Sequence, residues 1–61
     1  MKYWIARDED GSLWLYAGGE PERKATAFAV TTENSAYYLN DEAFSEVTWE
    51  NSPREVKLEP V

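Results

Sequence analysis

Residues 2–18 carry the clearest local pattern of apolar and polar positions in the chain. The ranges 2–7 and 12–17 are both rich in aromatic and branched residues, which favour the pleated, half-buried surface of a β-strand. Between them, Asp8-Glu9-Asp10-Gly11 is typical of a turn, because its Asp-Gly pair suits a type I turn closed by a glycine with positive φ. The pattern therefore predicts a β-hairpin.

The register of this hairpin depends on the turn. If Gly11 forms a bulge, Ile5 faces Leu15 and Trp4 faces Tyr16 across the two strands. A four-residue loop would shift the pairing by one residue and exchange the side chains that meet, so both registers stay open. In the first register the two faces of the hairpin carry different sets of side chains: Tyr3, Ile5, Leu13 and Leu15 on one, Trp4, Ala6, Trp14 and Tyr16 on the other.

The middle of the chain is ambiguous between strand and helix. Gly18-Gly19-Glu20-Pro21-Glu22 predicts a loop that ends the second strand. Pro21, followed by polar residues, could occupy the first turn of a helix over 21–31. Against this, larger side chains alternate with alanines from Thr26 to Val30, which is the two-residue period of a strand. We favour the strand and keep the helix as the alternative.

Three more strands are predicted after a turn at 32–35. The range 36–39 should pair back on the preceding strand, and the ranges 46–50 and 55–59 alternate apolar with polar residues. Residues 40–44 predict a single capped helical turn. The sum is one all-β domain over 1–61, a small antiparallel meander or an open SH3-like barrel of five to six short strands. The predicted core is Ile5, Leu13, Leu15, Phe28, Val30, Leu39, Val47, Val56 and Leu58, with Trp49 or Phe44 closing one end.

The charge of the chain narrows the choice of partners. Its 61 residues include twelve acidic and six basic side chains, for a net charge of −6. Nucleic acids and anionic membranes both attract positive surfaces, so we expect a partner of neither kind. The simplest role of the negative charge is solubility, and the sharper alternative is attraction to a basic partner.

The residue types present exclude the common catalytic and metal sites. The chain has no Cys and no His, so it can form neither a disulfide nor a thiolate or imidazole zinc site. A Ser-His or Cys-His nucleophile cannot be built either, and paired carboxylates would need a cleft for which the chain offers little material. We expect no enzyme, no cofactor and no catalytic or metal residues. No apolar stretch of signal-peptide or membrane length is present, which makes the cytoplasm the expected location.

Both ends of the chain carry a resemblance. The residues are Trp4-Ile5-Ala6-Arg7-Asp8-x-Asp10-Gly11-x-Leu13-x-Leu15-Tyr16, then Phe44-x-Glu46-Val47-Thr48-Trp49-Glu50 and Pro53-x-Glu55-Val56-x-Leu58. Together they resemble short, acidic, uncharacterised proteins of gut bacteria and their phages or other mobile elements. The resemblance covers most of the chain and is weakest over 20–35. It implies a bacterial, intracellular setting, with a phage origin as one option. No activity is assigned to that group, so it supplies no functional residues.

The aromatic residues Trp4, Trp14 and Tyr16 are the candidate interaction residues, because they share the hairpin face opposite Ile5 and Leu13. If the core covers only one face, they form an exposed apolar cluster of the kind that marks an interface. If a curled sheet buries both faces, they are core residues. The first reading predicts a protein-interaction module that binds a protein partner or a second copy. The alternatives are an acidic decoy for a basic nucleic-acid-binding protein, and a small-ligand or peptide binder on an aromatic platform.

Overall fold

The computed structural model describes residues 2–57, and it is built from antiparallel β-strands with no helix in that range. The larger sheet has four strands in the order β5-β2-β1-β6, and β3 pairs with β4 in a separate sheet of two strands. These sheets do not close into a barrel, and the predicted all-β class is confirmed. The strands are β1 (Tyr3–Arg7), β2 (Leu13–Gly18), β3 (Glu22–Arg23), β4 (Phe28–Ala29), β5 (Asn34–Tyr38) and β6 (Arg54–Val56).

The hairpin of β1 and β2 forms in the register that a bulge at Gly11 predicts. Gly11 has a φ of 98°, and its amide donates to the Asp8 carbonyl at 3.0 Å. The Asp8 amide donates to the Ser12 carbonyl at 2.8 Å, which closes the turn. As a result Trp4 faces Tyr16 across the strands, and the alternative register, with a four-residue loop, is wrong. We call the two sides of the large sheet the Ile5 face and the Tyr16 face.

A small core covers each of these two faces. Because each face of the central hairpin packs against a core, both faces carry apolar residues and neither is consistently polar. On the Ile5 face the buried residues are Ile5, Leu13 and Val47, with Leu39, Ala43 and Val56 packed against them. On the Tyr16 face they are Ala6, Tyr16 and Phe28, with Trp4, Trp14, Ala36 and Trp49 partly buried around them.

The ambiguous segment is a short hairpin that covers the Tyr16 face. β3 and β4 replace the single long strand that we favoured, and the alternative helix over 21–31 is wrong. Two bonds attach this hairpin to the turn between β1 and β2. The Phe28 amide donates to Asp8 Oδ1 at 2.9 Å, and the Glu9 amide donates to the Thr26 carbonyl at 3.0 Å. Phe28 is thereby held over the sheet and buried.

The strand predicted over 36–39 exists as β5, but its predicted pairing is wrong. It lies beside β2 instead of pairing back on the preceding segment, because that segment has left the sheet to cover the Tyr16 face. Asn34 fixes the start of β5, since its side-chain amide donates to the Gly19 carbonyl at 2.9 Å.

The strand predicted over 46–50 is wrong, since this range consists of turns. Val47 is buried on the Ile5 face, whereas Trp49 packs edge-to-face on Phe28 of the Tyr16 face, with ring centroids 5.4 Å apart. The segment therefore passes from one face of the sheet to the other. The strand predicted over 55–59 is found as Arg54–Val56, Lys57 lies beyond its end, and Leu58 and Glu59 lie outside the described residues.

Residues 40–44 form a hydrogen-bonded turn where a helical turn was predicted. The Ala43 amide donates to the Asn40 carbonyl at 2.9 Å, and the Glu42 amide donates to Asn40 Oδ1 at 2.8 Å. No helix follows, because Phe44 has a φ of 52°, and the carbonyl groups of this segment accept hydrogen bonds from Arg7. Its guanidinium donates to the carbonyl oxygens of Gly11, Asp41, Ala43, Phe44 and Val47 at 2.6–3.2 Å.

The predicted core needs two corrections. Val30 and Phe44 are not core residues, since 56% and 50% of their surfaces are exposed. Val30 follows β4 at the edge of its small sheet, and Phe44 lies in a turn with a φ of 52°. In their place the core uses Ala6 and Tyr16, from the face for which the sequence left burial and exposure open.

Candidate interaction surface

Trp4, Trp14 and Tyr16 lie in one cluster on the Tyr16 face, but they are buried to different degrees. Tyr16 is only 2% exposed, so its ring belongs to the core and is not available to a partner. Its hydroxyl lies 3.5 Å from the Phe28 carbonyl, to which it donates. Burial, together with the charge of Asp8, raises the pKa of Tyr16 to about 12. Trp4 and Trp14 are half-buried.

Trp4 and Trp14 also have different neighbours. Trp4 lies on β1, where it faces Glu55 of the edge strand β6, and its indole Nε1 is buried without a hydrogen-bond partner among residues 2–57. Trp14 lies on β2 beside the other edge strand, β5. Its ring meets Tyr38 edge-to-face, with centroids 5.3 Å apart and planes at 70°. The two indoles therefore do not form one continuous surface.

An open groove lies on the Tyr16 face between β5 and the covering hairpin. We call it the aromatic groove, and its volume is about 260 Å³. Val30 and Tyr38 are 56% and 57% exposed, and they stand at the same end of the face as Trp14. The residues that line the groove are Asp8, Trp14, Tyr16, Phe28, Val30 and Ala36. Trp4 is not among them.

The walls of the groove are held in place by hydrogen bonds. Asp8 Oδ1 accepts from the Phe28 amide at 2.9 Å, so the acidic side chain and the aromatic wall are fixed relative to each other. Tyr38, which packs on the lining residue Trp14, is held in turn because its hydroxyl donates to Asp41 Oδ1 at 2.6 Å. Such a site is largely formed before a ligand arrives, which reduces the entropy that binding must overcome.

Three carboxylates give this end of the molecule a negative field. The hydrogen bond to Asp41 raises the pKa of Tyr38, and the charges of Asp41 and Asp10 add to that effect. The charge of Asp8 acts in the same direction on Tyr16. Within residues 2–57 no group of three such side chains is placed to hold a metal ion. Aromatic walls beside carboxylates attract an organic cation with an apolar stem instead.

Sequence reasoning found Trp14 and Tyr16, which both line the groove, but missed Asp8, Val30 and Tyr38. Asp8 was assigned to a turn. Val30 was assigned to the core because it belongs to an alternating run of residues, from which the end of β4 at Ala29 could not be predicted. Tyr38 could have been found from its position. It lies directly opposite Trp14 once β5 is paired with β2, but the sequence predicted a different pairing for this strand.

A second groove lies on the Ile5 face. Its volume is about 400 Å³, and it is lined by Ile5, Leu15, Leu39, Phe44, Val56 and Lys57. Lys57 is the last residue that the structure describes, so the structure does not show what lies beside this groove. We therefore assign it no function.

Comparison of the chain with protein-family models, with curated proteins and with solved structures finds no match. The resemblance to proteins of gut bacteria and phages therefore stays a prediction. Over residues 2–57 the chain forms no helix of the length and apolarity that crossing a membrane requires.

Proposed function

We propose that this protein is a non-enzymatic interaction module that binds a partner protein over the aromatic groove. The observation that carries the proposal is the pair of Trp14 and Tyr38 at the groove, with Tyr38 more than half exposed. Tyrosine and tryptophan at the centre of an interface supply a large share of its binding energy, because they bury much area at a small entropic cost.

The groove also has the shape that such an interface needs. Val30 lines the groove and is exposed, Tyr38 is exposed and packs on the lining residue Trp14, and the wall at Phe28 is bonded to Asp8. Exposed apolar residues that lie side by side, with polar groups around them, are typical of surfaces that bind proteins. The setting implied by the sequence resemblance, a bacterial cytoplasm, is part of the same proposal.

Two adjacent tyrosines on β5 provide a matched test. Tyr37 and Tyr38 are 55% and 57% exposed, but they point to opposite faces of the sheet, because they pair with Leu15 and Trp14 respectively. The immobilised protein would capture partners from a bacterial lysate, and each captured protein would then be purified and titrated against the variants. We expect Tyr38→Ala to weaken binding about tenfold or more, as loss of an interface anchor does. Tyr37→Ala should bind as the wild type does.

Three results would contradict the proposal. Equal affinity of both tyrosine variants for every purified partner would place binding elsewhere, and loss of binding in both would indicate a general effect on the fold. Thermal melts identify the second case. Sedimentation that shows a dimer broken by Tyr38→Ala would instead assign the same surface to self-association.

A further inference from the structure

The two edges of the four-stranded sheet are protected to different degrees. β6 has only three residues, it follows Pro53, and it carries Arg54 and Glu55. Short length, proline and charge are the usual devices that prevent an edge from pairing with another chain. β5 has five residues, Asn34–Tyr38, and contains neither a proline nor a charged residue. Of the two edges that residues 2–57 form in this sheet, β5 is the one without such protection.

The hydrogen bonds along β5 indicate which of its groups are available. The Leu39 amide donates to the Leu13 carbonyl at 2.9 Å, and partners in an antiparallel pair alternate between bonded and non-bonded positions. In the observed register, Ser35 and Tyr37 therefore bond to β2. The N–H and C=O groups of Ala36 and Tyr38 point away from the sheet.

The free edge borders the aromatic groove. Ala36 supplies both an outward-facing amide on the edge and one of the groove's lining side chains. A strand added beside β5 would direct every second side chain to the Tyr16 face, because side chains alternate along a strand. One of these side chains would lie at the β5 side of the groove, next to Ala36 and Tyr38.

We propose, resting on the function above, that the partner supplies an extended basic segment that adds to β5 as a fifth strand. A Lys or Arg side chain of this segment lies at the β5 side of the aromatic groove, with its aliphatic stem against the rings of Tyr38 and Trp14 and its cation attracted by the carboxylates at this end of the molecule. The outward-facing N–H and C=O groups of Ala36 and Tyr38 form the main-chain hydrogen bonds to the added strand, and the groove selects which side chain is bound. The charges of Asp10 and Asp41, and the net charge of −6, favour the same cationic occupant.

Synthetic peptides test this arrangement directly. The probe is a seven-residue peptide of alternating Thr and Val with a central Lys, and the control carries Glu in place of that Lys. Binding is followed by tryptophan fluorescence, which reports on Trp14, and by amide hydrogen exchange at Ala36 and Tyr38. We expect the Lys peptide to bind about tenfold or more tightly than the Glu peptide, with a preference that shrinks at high salt. It should also slow exchange at both amides.

N-methylation of the peptide separates strand addition from simple contact. Two further peptides carry methyl groups on alternate amides, one on the odd and one on the even positions. Strand addition uses the amides of one set only, so one peptide should lose about tenfold or more in affinity while the other binds normally. Equal effects of the two methylation patterns, or equal affinity of the Lys and Glu peptides, would overturn the inference.

A variant of the protein completes the test. Ala36→Pro removes an outward-facing N–H that β2 does not use, and proline is tolerated at such an edge position. It should abolish peptide binding while circular dichroism remains that of the wild type. If Ala36→Pro still binds a purified partner that Tyr38→Ala loses, strand addition is wrong and the proposed function stands. Dimerisation through β5 in the absence of peptide would also overturn the inference.

Discussion

Arg7 is the residue on which the packing of the Ile5 face depends most directly. All five guanidinium hydrogen bonds go to main-chain carbonyl oxygens, at 2.6–3.2 Å, and four of these carbonyls belong to residues 41–47. The Arg7 amide also donates to Ser52 Oγ at 3.0 Å. Arginine can do this because its planar fork presents five donors in fixed directions. The single side chain thus replaces the secondary structure that the 41–47 segment lacks.

Replacement of Arg7 by Lys should destabilise the protein strongly despite retaining the charge. An ammonium group offers three donors at one point and cannot reach carbonyls spread around a plane, so at least two are left without a partner. We expect the free energy of unfolding to fall by about 2–3 kcal/mol. The control is Arg54→Lys, an exposed arginine on β6, which should change it by less than about 0.5 kcal/mol. Urea unfolding measures both, and equal effects would contradict this role of Arg7.

Tyr16 marks the limit of what could be inferred at the level of single residues. The sequence placed it correctly on the face with Trp4 and Trp14, since the alternation of side chains determines the face. It did not determine what covers that face. The cover is Phe28, whose position depends on hydrogen bonds between Asp8 and a segment twenty residues away in sequence. Local patterns contain no information about such a contact.

Among the elements, the β1–β2 hairpin was the most predictable and the 46–50 segment the least. The hairpin register follows from one local feature, the positive φ of Gly11. The alternation of Val47 and Trp49 has a different origin from that of a strand. Val47 belongs to the core on the Ile5 face and Trp49 to the core on the Tyr16 face, because the segment crosses between the two cores. Such a crossing produces the same two-residue period in the sequence as a strand does.

Two glycines with positive φ should respond very differently to alanine. At Gly11 an added Cβ would meet no atom within 4 Å, whereas at Gly18 it would overlap the backbone carbonyl oxygen of Glu33. Gly11→Ala should therefore cost only the backbone strain, about 1 kcal/mol. Gly18→Ala adds a clash with main chain and should cost at least about 3 kcal/mol or prevent folding. Denaturant unfolding distinguishes them, and equal stabilities would show that the approach of β5 to Gly18 is not as close as described.

The stability of the whole molecule should be greatest between mildly acidic and mildly alkaline pH. The amide of Ser12 lowers the pKa of Asp10 below its usual 3.8, so the stabilisation it gives is present above pH 3.8 and is lost as the pH falls further. Burial raises the pKa of Tyr16 from 10.0 to about 12, and the bond to Asp41 raises that of Tyr38. The stabilisation from Tyr16 is complete below pH 10 and is lost as the pH rises from 10 towards 12, and that from Tyr38 is lost as the pH rises above 10.

Substitution of Tyr16 tests the alkaline part of this profile. In Tyr16→Phe the unfolded chain has no phenol at this position to ionise, so stability should decline less steeply between pH 10 and 12 than in the wild type. Urea midpoints measured over this range give the slope. An unchanged slope would show that another group governs the alkaline loss of stability.

The unequal edges of the sheet set how large an assembly this protein can build. A chain with two open edges can pass strands from copy to copy and grow into a fibre. Here we expect growth to stop after one step, because within residues 2–57 the opposite edge strand, Arg54–Val56, is short, charged and preceded by proline. Each copy is therefore expected to accept a single added strand, at β5. The protein should not polymerise in solution even though this edge can pair.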